Sequence, residues 1–177
     1  LKLDFVDSYA IPRKSTIEKK ENMTLKNEGT KVPSFALDST SGQKVRSKDL
    51  LGSKYIIFFY PKDNTPGCTK EVCSFRDEYQ KLKRKKFSIF GISPDSIQSH
   101  EKFIDKQSLP FELLSDPEHK IAEKFGAWGE KKMYGKTYMG IIRSTFIVNE
   151  DGKIIKVYPK VKVGQHAQDI LDDLAEL

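Results

Sequence analysis

Residues 60–73 read Tyr-Pro-Lys-Asp-Asn-Thr-Pro-Gly-Cys-Thr-Lys-Glu-Val-Cys. Both cysteines of the 177-residue chain, Cys68 and Cys73, fall in this stretch. It follows the most apolar run of the sequence, Tyr55–Tyr60, whose lack of alternation predicts a strand buried on both faces. Pro66 and Gly67 then predict a tight turn into a helix. Cys68 is therefore expected in the first turn of that helix.

The segments around this stretch alternate between strands and helices. Apolar residues recur at helical spacing from Cys68 through Val72, Phe75, Tyr79 and Leu82, which indicates one buried helix face. Strands are predicted at 35–38, 87–93, 111–114, 141–148 and 153–158, and further helices at 96–106, from 116 to about 125, and at 166–174. Residues 40–43 predict the turn of an N-terminal β-hairpin, and residues 127–140 a polar loop. This order predicts an α/β fold with a central mixed sheet flanked by helices.

Composition limits the class of protein. The chain has 37% hydrophobic and 32% charged residues, and no apolar run approaches the roughly 20 residues that cross a bilayer. The net charge of +6 comes from lysines interleaved with acidic residues, so we expect a solvated surface and no nucleic-acid site. We predict a poorly structured extension over 1–25 and one domain over 26–177.

Localisation is predicted to be cytoplasmic. Nuclear or organellar targeting is the alternative, if the extension or the basic run 81–86 is a signal. The basic run also suits the C-terminal end of a helix, where cations interact favourably with the helix dipole.

Cys68 is the candidate reactive residue. A thiol reacts as its thiolate, and the first turn of a helix favours negative charge through unpaired N–H groups and the helix dipole. The simpler alternative is a small buried residue on the apolar helix face. Thr65 adds a hydroxyl donor beside the expected position of the sulfur.

Cys73 lies on a different, polar face of the predicted helix. Five residues of helix separate its Cα from that of Cys68 by about 8 Å. A disulfide requires Cα atoms within about 7 Å, so the pair can join only if the first turns unwind. This predicts a local unfolding step on oxidation, and the alternative for Cys73 is an incidental surface thiol.

Other uses of the cysteines fit less well. Thioredoxin-type oxidoreductases have two residues between their cysteines, whereas this pair has four. Structural zinc takes four ligands, and we interpret His100, His119 and His166 as isolated surface or capping residues. A metal site is therefore not expected.

The pattern Pro61-x-x-x-Thr65-x-x-Cys68 resembles the signature of peroxiredoxins. Residues 60–69 with Cys73 resemble the bacterioferritin comigratory protein, or Q-type thiol peroxidase, branch. The likeness extends from about Lys26 to the C-terminus and includes residues 93–96, 113–116, 128–131 and 143–146. It implies a thioredoxin-like fold, with no metal or organic cofactor.

The resemblance also implies roles for individual residues. Cys68 would be the peroxidatic cysteine and Cys73 the resolving cysteine that forms a disulfide with it. Arg143 would reach Cys68 from a later strand, Thr65 would orient the peroxide, and Pro61 would shape the loop. Without the motif, an exposed strand residue is the simpler interpretation of Arg143.

The implied partners are peroxide substrates and thioredoxin or a similar dithiol reductant, acting on a monomer. Two other functions stay open at this point. One is a chaperone or holdase with the same fold, and the other is a protein-disulfide oxidoreductase.

Overall fold

A computed structural model describes residues 24–177. Its elements, in chain order, are β1 (Ala36–Ser39), β2 (Lys44–Arg46), a 3-10 helix (Ser47–Leu50), β3 (Lys54–Phe59), α1 (Pro66–Arg84), β4 (Phe87–Ser93), α2 (Ile97–Gln107), β5 (Glu112–Ser115), α3 (Lys120–Phe125), β6 (Trp128–Met133), β7 (Lys136–Ile141), β8 (Ser144–Val148), β9 (Ile154–Tyr158) and α4 (His166–Ala175).

Seven strands form one mixed sheet in the order β2-β1-β5-β4-β3-β8-β9. The apolar strand β3 pairs in parallel with β4 and antiparallel with β8, so it has neighbours on both edges. Residues 55–59 are all buried, as their unbroken apolar sequence predicts. The predicted mixed sheet, flanking helices and N-terminal hairpin of β1 and β2 are confirmed.

Each face of the sheet carries its own apolar cluster. Ile56 and Phe58 of β3 point to one face, where they join residues of α1, α2 and α4. Ile57 and Phe59 point to the other face, where they join residues of α3. The alternating side chains of β3 therefore hold the two layers together, and the end of this strand leads directly into the Cys68 loop.

Three local predictions need correction. Residues 127–140 are not a loop, because β6 and β7 pair there as a separate two-stranded ribbon. The helix predicted from residue 116 begins only at Lys120, after a turn that ends with His119 at a positive φ of 50°. Arg143 is not inside a strand, since β7 ends at Ile141 and β8 begins at Ser144.

The first part of the predicted N-terminal extension, residues 1–23, lies outside the described residues. Lys26 already donates its backbone N–H to the carbonyl of Phe125 over 2.9 Å. The boundary at residue 25 stays a prediction. Within residues 24–177, no helix combines the length and apolar character that crossing a membrane requires.

Candidate active site

The first turn of α1 places Cys68 beneath the protein surface. Thr65 is the N-cap residue and Pro66 the first helical residue, where the missing proline N–H costs no hydrogen bond. Cys68 follows two residues later with 1% of its surface exposed. The helix is continuous through Cys73, and both cysteines are free thiols. The predicted helix start is confirmed.

Arg143 reaches the sulfur of Cys68 from the segment between β7 and β8. Its Nη2 donates to Cys68 Sγ over 3.3 Å, and its Nη1 donates to Glu71 Oε2. A β-carbon at Gly67 would lie 3.4 Å from Arg143 Nη2, so the glycine leaves the guanidinium room above the helix start. The structure thus brings together Cys68 and Arg143, as the family resemblance implies, and adds Glu71.

Glu71 is a fully buried carboxylate whose second oxygen, Oε1, has no hydrogen-bond partner. Burial raises the pKa of Glu71 to about 7, although the Arg143 charge acts in the opposite direction. Burial would lower the pKa of Arg143, but the charges of Glu71 and Cys68 raise it overall. Arg143 therefore stays a cation, held between a carboxylate and a sulfur.

The other two predicted loop residues, Thr65 and Pro61, are half-buried. The Thr65 hydroxyl donates to the carbonyl of Lys62 over 2.8 Å, and the Thr65 carbonyl accepts the N–H of Thr69 over 2.9 Å. Asn64 has a positive φ of 58°, a conformation that asparagine tolerates better than most residues. These contacts fix the turn that leads from β3 into α1.

Cys73 has different surroundings. It is half-buried and packs against the apolar cluster of its sheet face, whereas Asp77 and Gln80 of the predicted polar face are exposed. Its Sγ donates to Gln107 Oε1 over 3.4 Å at the end of α2. Arg76 donates from Nη1 to the backbone carbonyl of the same glutamine over 2.8 Å. Helix α2 thus holds the second cysteine in place.

A buried polar network fixes the loop before Cys68. Asp63 accepts hydrogen bonds from Tyr60 and Ser99, over 2.7 and 2.8 Å, and its Oδ2 lies 2.8 Å from Nδ1 of His100. The other ring nitrogen of His100, Nε2, lies 3.0 Å from the carbonyl of Leu114. Burial, followed by the Asp63 charge, raises the pKa of Tyr60, which keeps its hydroxyl a donor.

This network is the one candidate metal cluster among residues 24–177. Ligand-type atoms of Asp63, Asp95 and His100 lie within 4.8 Å of one another. Asp95 Oδ2 already accepts the Asp63 N–H and the Ser93 hydroxyl, and the other two side chains bond to each other. Since these donors and acceptors satisfy one another, we assign no metal to the cluster.

The interpretation of the histidines as isolated surface or capping residues is wrong for two of the three. His100 is fully buried in the network, and His166 is buried with Nε2 2.7 Å from Thr145 Oγ1. Burial and the Arg143 charge lower the pKa of His166 to about 4. Only His119, the N-cap residue of α3, takes a capping position, and its ring stacks on Trp128 with centroids 3.6 Å apart.

Comparison with known proteins now identifies the family. The model of the AhpC/TSA family matches residues 29–157. The peroxiredoxin Bcp of Bacillus subtilis is 46% identical over 149 residues, which are 84% of this chain and 95% of that protein. The chain is a peroxiredoxin of the AhpC/TSA family.

Two further relatives agree with this membership. The peroxiredoxin Bcp of Escherichia coli is 40% identical over 148 residues, covering 84% of this chain and 95% of that protein. The structure of peroxiredoxin Q from Xanthomonas campestris superposes with a TM-score of 0.75 at 37% identity, covering 80% of this chain and 90% of that one. The predicted Bcp or Q branch and the thioredoxin-like fold are confirmed, and peroxiredoxins are thiol-dependent peroxidases.

The sequence prediction missed Glu71, Asp63 and His100. Glu71 lies three residues after Cys68 and one before Val72, so helical spacing alone places it on the apolar face of α1. A carboxylate on that face is a usable signal of a buried ion pair. Asp63 and His100 are 37 residues apart, and nothing local in the sequence shows that they meet.

Proposed function

We propose that Cys68 is the residue of this peroxiredoxin that reacts with peroxide, and that Cys73 resolves the product. The contact of the Arg143 guanidinium with the buried sulfur of Cys68, at 3.3 Å, carries the proposal. A permanent cation beside the sulfur stabilises the thiolate. The helix start adds backbone N–H groups and the positive end of the helix dipole.

The first chemical step follows from this arrangement. The Cys68 thiolate attacks the terminal oxygen of a hydroperoxide, and the O–O bond breaks. The leaving oxygen takes the electron pair and a proton to become an alcohol, or water from hydrogen peroxide, and Cys68 becomes a sulfenic acid. Arg143 stabilises the negative charge that develops on the leaving oxygen, and Thr65 and Pro61 shape the turn that receives the peroxide.

The second step requires a change of structure. The Cys73 sulfur attacks the sulfenic sulfur, a disulfide forms and water leaves. Because Cα atoms five residues apart on a helix are about 8 Å apart, α1 must unwind between the two cysteines. Cys73 must also leave Gln107, to which it is bonded in the reduced protein.

Substrate and reductant are inferred from the family. The bacterioferritin comigratory protein of Xanthomonas campestris, 36% identical, has been studied for alkyl peroxide reduction. We propose that this chain reduces hydrogen peroxide and organic hydroperoxides, and that a dithiol protein such as thioredoxin reduces the resulting disulfide. We further propose a cytoplasmic monomer that serves antioxidant defence.

Two cysteine variants test the proposal. Cys68→Ser should abolish peroxide consumption, whereas Cys73→Ser should react once and then stall with thioredoxin as reductant. Stopped-flow peroxide reduction measures both, and mass spectrometry of the oxidised wild type should find a link between Cys68 and Cys73. Thioredoxin-dependent activity in Cys68→Ser would contradict the assignment and favour a disulfide oxidoreductase or another nucleophile.

A further inference from the structure

The ribbon of β6 and β7 projects from the body of the protein. The side chains of residues 132–139 are all exposed, although they include both faces of the ribbon. Only its base is anchored, where Trp128 stacks on His119. A two-stranded ribbon by itself is at best marginally stable in water. Its exposure on both faces therefore needs a reason other than the stability of the domain.

The exposed part of the ribbon is unusually apolar. We call residues 132–139 the ribbon tip. Six large apolar side chains are exposed among residues 24–177, and four of them belong to the tip: Met133 (54%), Tyr134 (98%), Tyr138 (39%) and Met139 (53%). Clustered apolar exposure of this kind marks interaction surfaces, and tyrosine and methionine are enriched at protein interfaces.

The base of the ribbon adjoins the reactive cysteine. Strand β7 ends at Ile141, and Arg143, which contacts Cys68, follows two residues later. Lys131 of β6 is half-buried. Burial and the Arg143 charge lower the pKa of Lys131, whereas the Cys68 charge acts in the opposite direction. The tip lies about five residues, or roughly 17 Å, from this base. A protein that binds along the ribbon from tip to base would therefore also cover the entrance to Cys68.

The charges of the ribbon indicate which kind of binding partner fits it. Lys131, Lys132 and Lys136 outnumber the single acidic residue of the ribbon, Glu130. A second copy of this chain would present the same lysines against them, which is unfavourable. An acidic surface with an apolar centre would complement both features. Any protein that exchanges thiols with Cys68 or Cys73 must also bring its own sulfur into contact with one of them.

We propose that the ribbon tip docks the dithiol protein that reduces this peroxiredoxin, through an acidic and apolar surface around the reactive cysteine of that protein. The inference rests on the proposed Cys68–Cys73 disulfide. A thiolate of the bound protein attacks one sulfur of this disulfide, forming a mixed disulfide and releasing the other cysteine as a thiolate. The second thiol of the bound protein then displaces the remaining cysteine, so the peroxiredoxin is reduced and its partner oxidised.

The test compares a protein reductant with a small one. In the double variant Met133→Ser/Tyr134→Ser, the KM for reduced thioredoxin should rise about tenfold or more, the effect expected of two interface anchors. Turnover with dithiothreitol should not change, because a small dithiol needs no docking surface. Leu51→Ser is the matched control, since Leu51 is equally apolar, 61% exposed and outside the ribbon. It should leave the KM unchanged.

A second pair of variants tests the charges. The KM of the wild type for thioredoxin should rise with ionic strength, and Lys132→Gln/Lys136→Gln should flatten that dependence. An unchanged KM in Met133→Ser/Tyr134→Ser would overturn the docking proposal, as would equal losses with thioredoxin and dithiothreitol.

The same variant also tests whether the tip binds a different partner. If the variant loses binding to anionic vesicles, or loses self-association, while the KM for thioredoxin stays unchanged, the tip serves a membrane or a second copy and the proposal is wrong. Failure of the proposed function is a separate result. In that case the wild type would show no turnover with dithiothreitol and no Cys68–Cys73 link.

Discussion

Cys68 and Cys73 lie on the same helix, yet the protein holds the two sulfurs by different means. Cys68 is almost fully buried against a cation, Arg143, whereas Cys73 is half-buried and donates to an uncharged amide, Gln107. A cation favours the thiolate, and an acceptor favours the protonated thiol. The contrast predicts that the two thiols differ in reactivity through their contacts as well as through their place along the helix.

The two surroundings share one element, helix α2. Its first turns carry Ser99 and His100, which bond to Asp63 in the loop before Cys68. Its last residue, Gln107, bonds to Cys73. Variants of Asp63, Arg143, Glu71 and Gln107 separate the contributions of α2 and of these side chains to this difference.

The largest effect is expected from the contact between α2 and the active-site loop. Asp63→Asn removes the carboxylate that accepts from Tyr60 and Ser99 and faces His100, and each hydrogen bond to a charged acceptor contributes about 1.5–3 kcal/mol. Urea denaturation measures the loss. Glu123→Gln is the matched control, because Glu123 contacts His119 over 2.7 Å in a partly exposed pair that should be worth less than about 1 kcal/mol. Similar losses in the two variants would show that the buried network does not anchor the loop.

The next effect concerns the cation beside Cys68. Arg143→Met keeps much of the side-chain volume but removes the charge, so the reaction of Cys68 with peroxide should slow by about 10²–10³-fold. Stopped-flow measurement of peroxide consumption follows this step. Arg76→Met is the control at the other cysteine and should leave the peroxide step unchanged. A loss smaller than tenfold in Arg143→Met would contradict the assigned role.

The sequence predicts these two surroundings unequally. The strand β3, the start of α1 and the helical apolar face follow from local patterns, so Cys68 could be placed in advance. The buried state of His100 could not be predicted, because its partners Tyr60, Asp63 and Leu114 lie 14 to 40 residues away along the chain. The ribbon escaped prediction for a different reason. Its tip is solvated on both faces, so it lacks the alternation that marks a strand packed on a core.

Glu71 should make the site sensitive to pH. Its folded pKa of about 7 lies above the usual 4.5, so between these values the folded protein binds more protons than the unfolded chain. Stability from this group therefore falls as the pH rises through that window. Glu71→Gln should remove the dependence, and its stability relative to the wild type should increase by up to about 3 kcal/mol between pH 4.5 and 7.5. Urea denaturation across this range measures the difference.

His166 provides a control, because its contribution to stability should change with pH in the opposite direction. Its folded pKa of about 4 lies below the usual 6.5, so in that window the unfolded chain binds more protons. Stability from this group rises with pH, and His166→Asn should lose stability relative to the wild type as the pH rises. Slopes of the same sign in Glu71→Gln and His166→Asn would mean that burial does not control these two groups as described.

The smallest effect is expected at Cys73. Gln107→Leu removes the acceptor of the Cys73 thiol, and a hydrogen bond of about 0.5–1 kcal/mol corresponds to a two- to fivefold change. Because Cys73 must leave Gln107 before it reaches Cys68, the disulfide should form faster in the variant, while the peroxide step stays the same. Rapid quenching with a thiol-alkylating reagent, followed by mass spectrometry, measures disulfide formation.

An independent measurement uses excess peroxide, which competes with Cys73 for the Cys68 sulfenic acid. Faster resolution in Gln107→Leu should lower the yield of Cys68 sulfinic acid, as counted by mass spectrometry. Gln80→Leu, on an exposed part of α1, the helix that carries Cys73, should change neither quantity. If Gln107→Leu resolves no faster than the wild type, unwinding of α1 alone limits the step. The two cysteines would then differ only in what activates Cys68, and the contact with α2 would have no kinetic role.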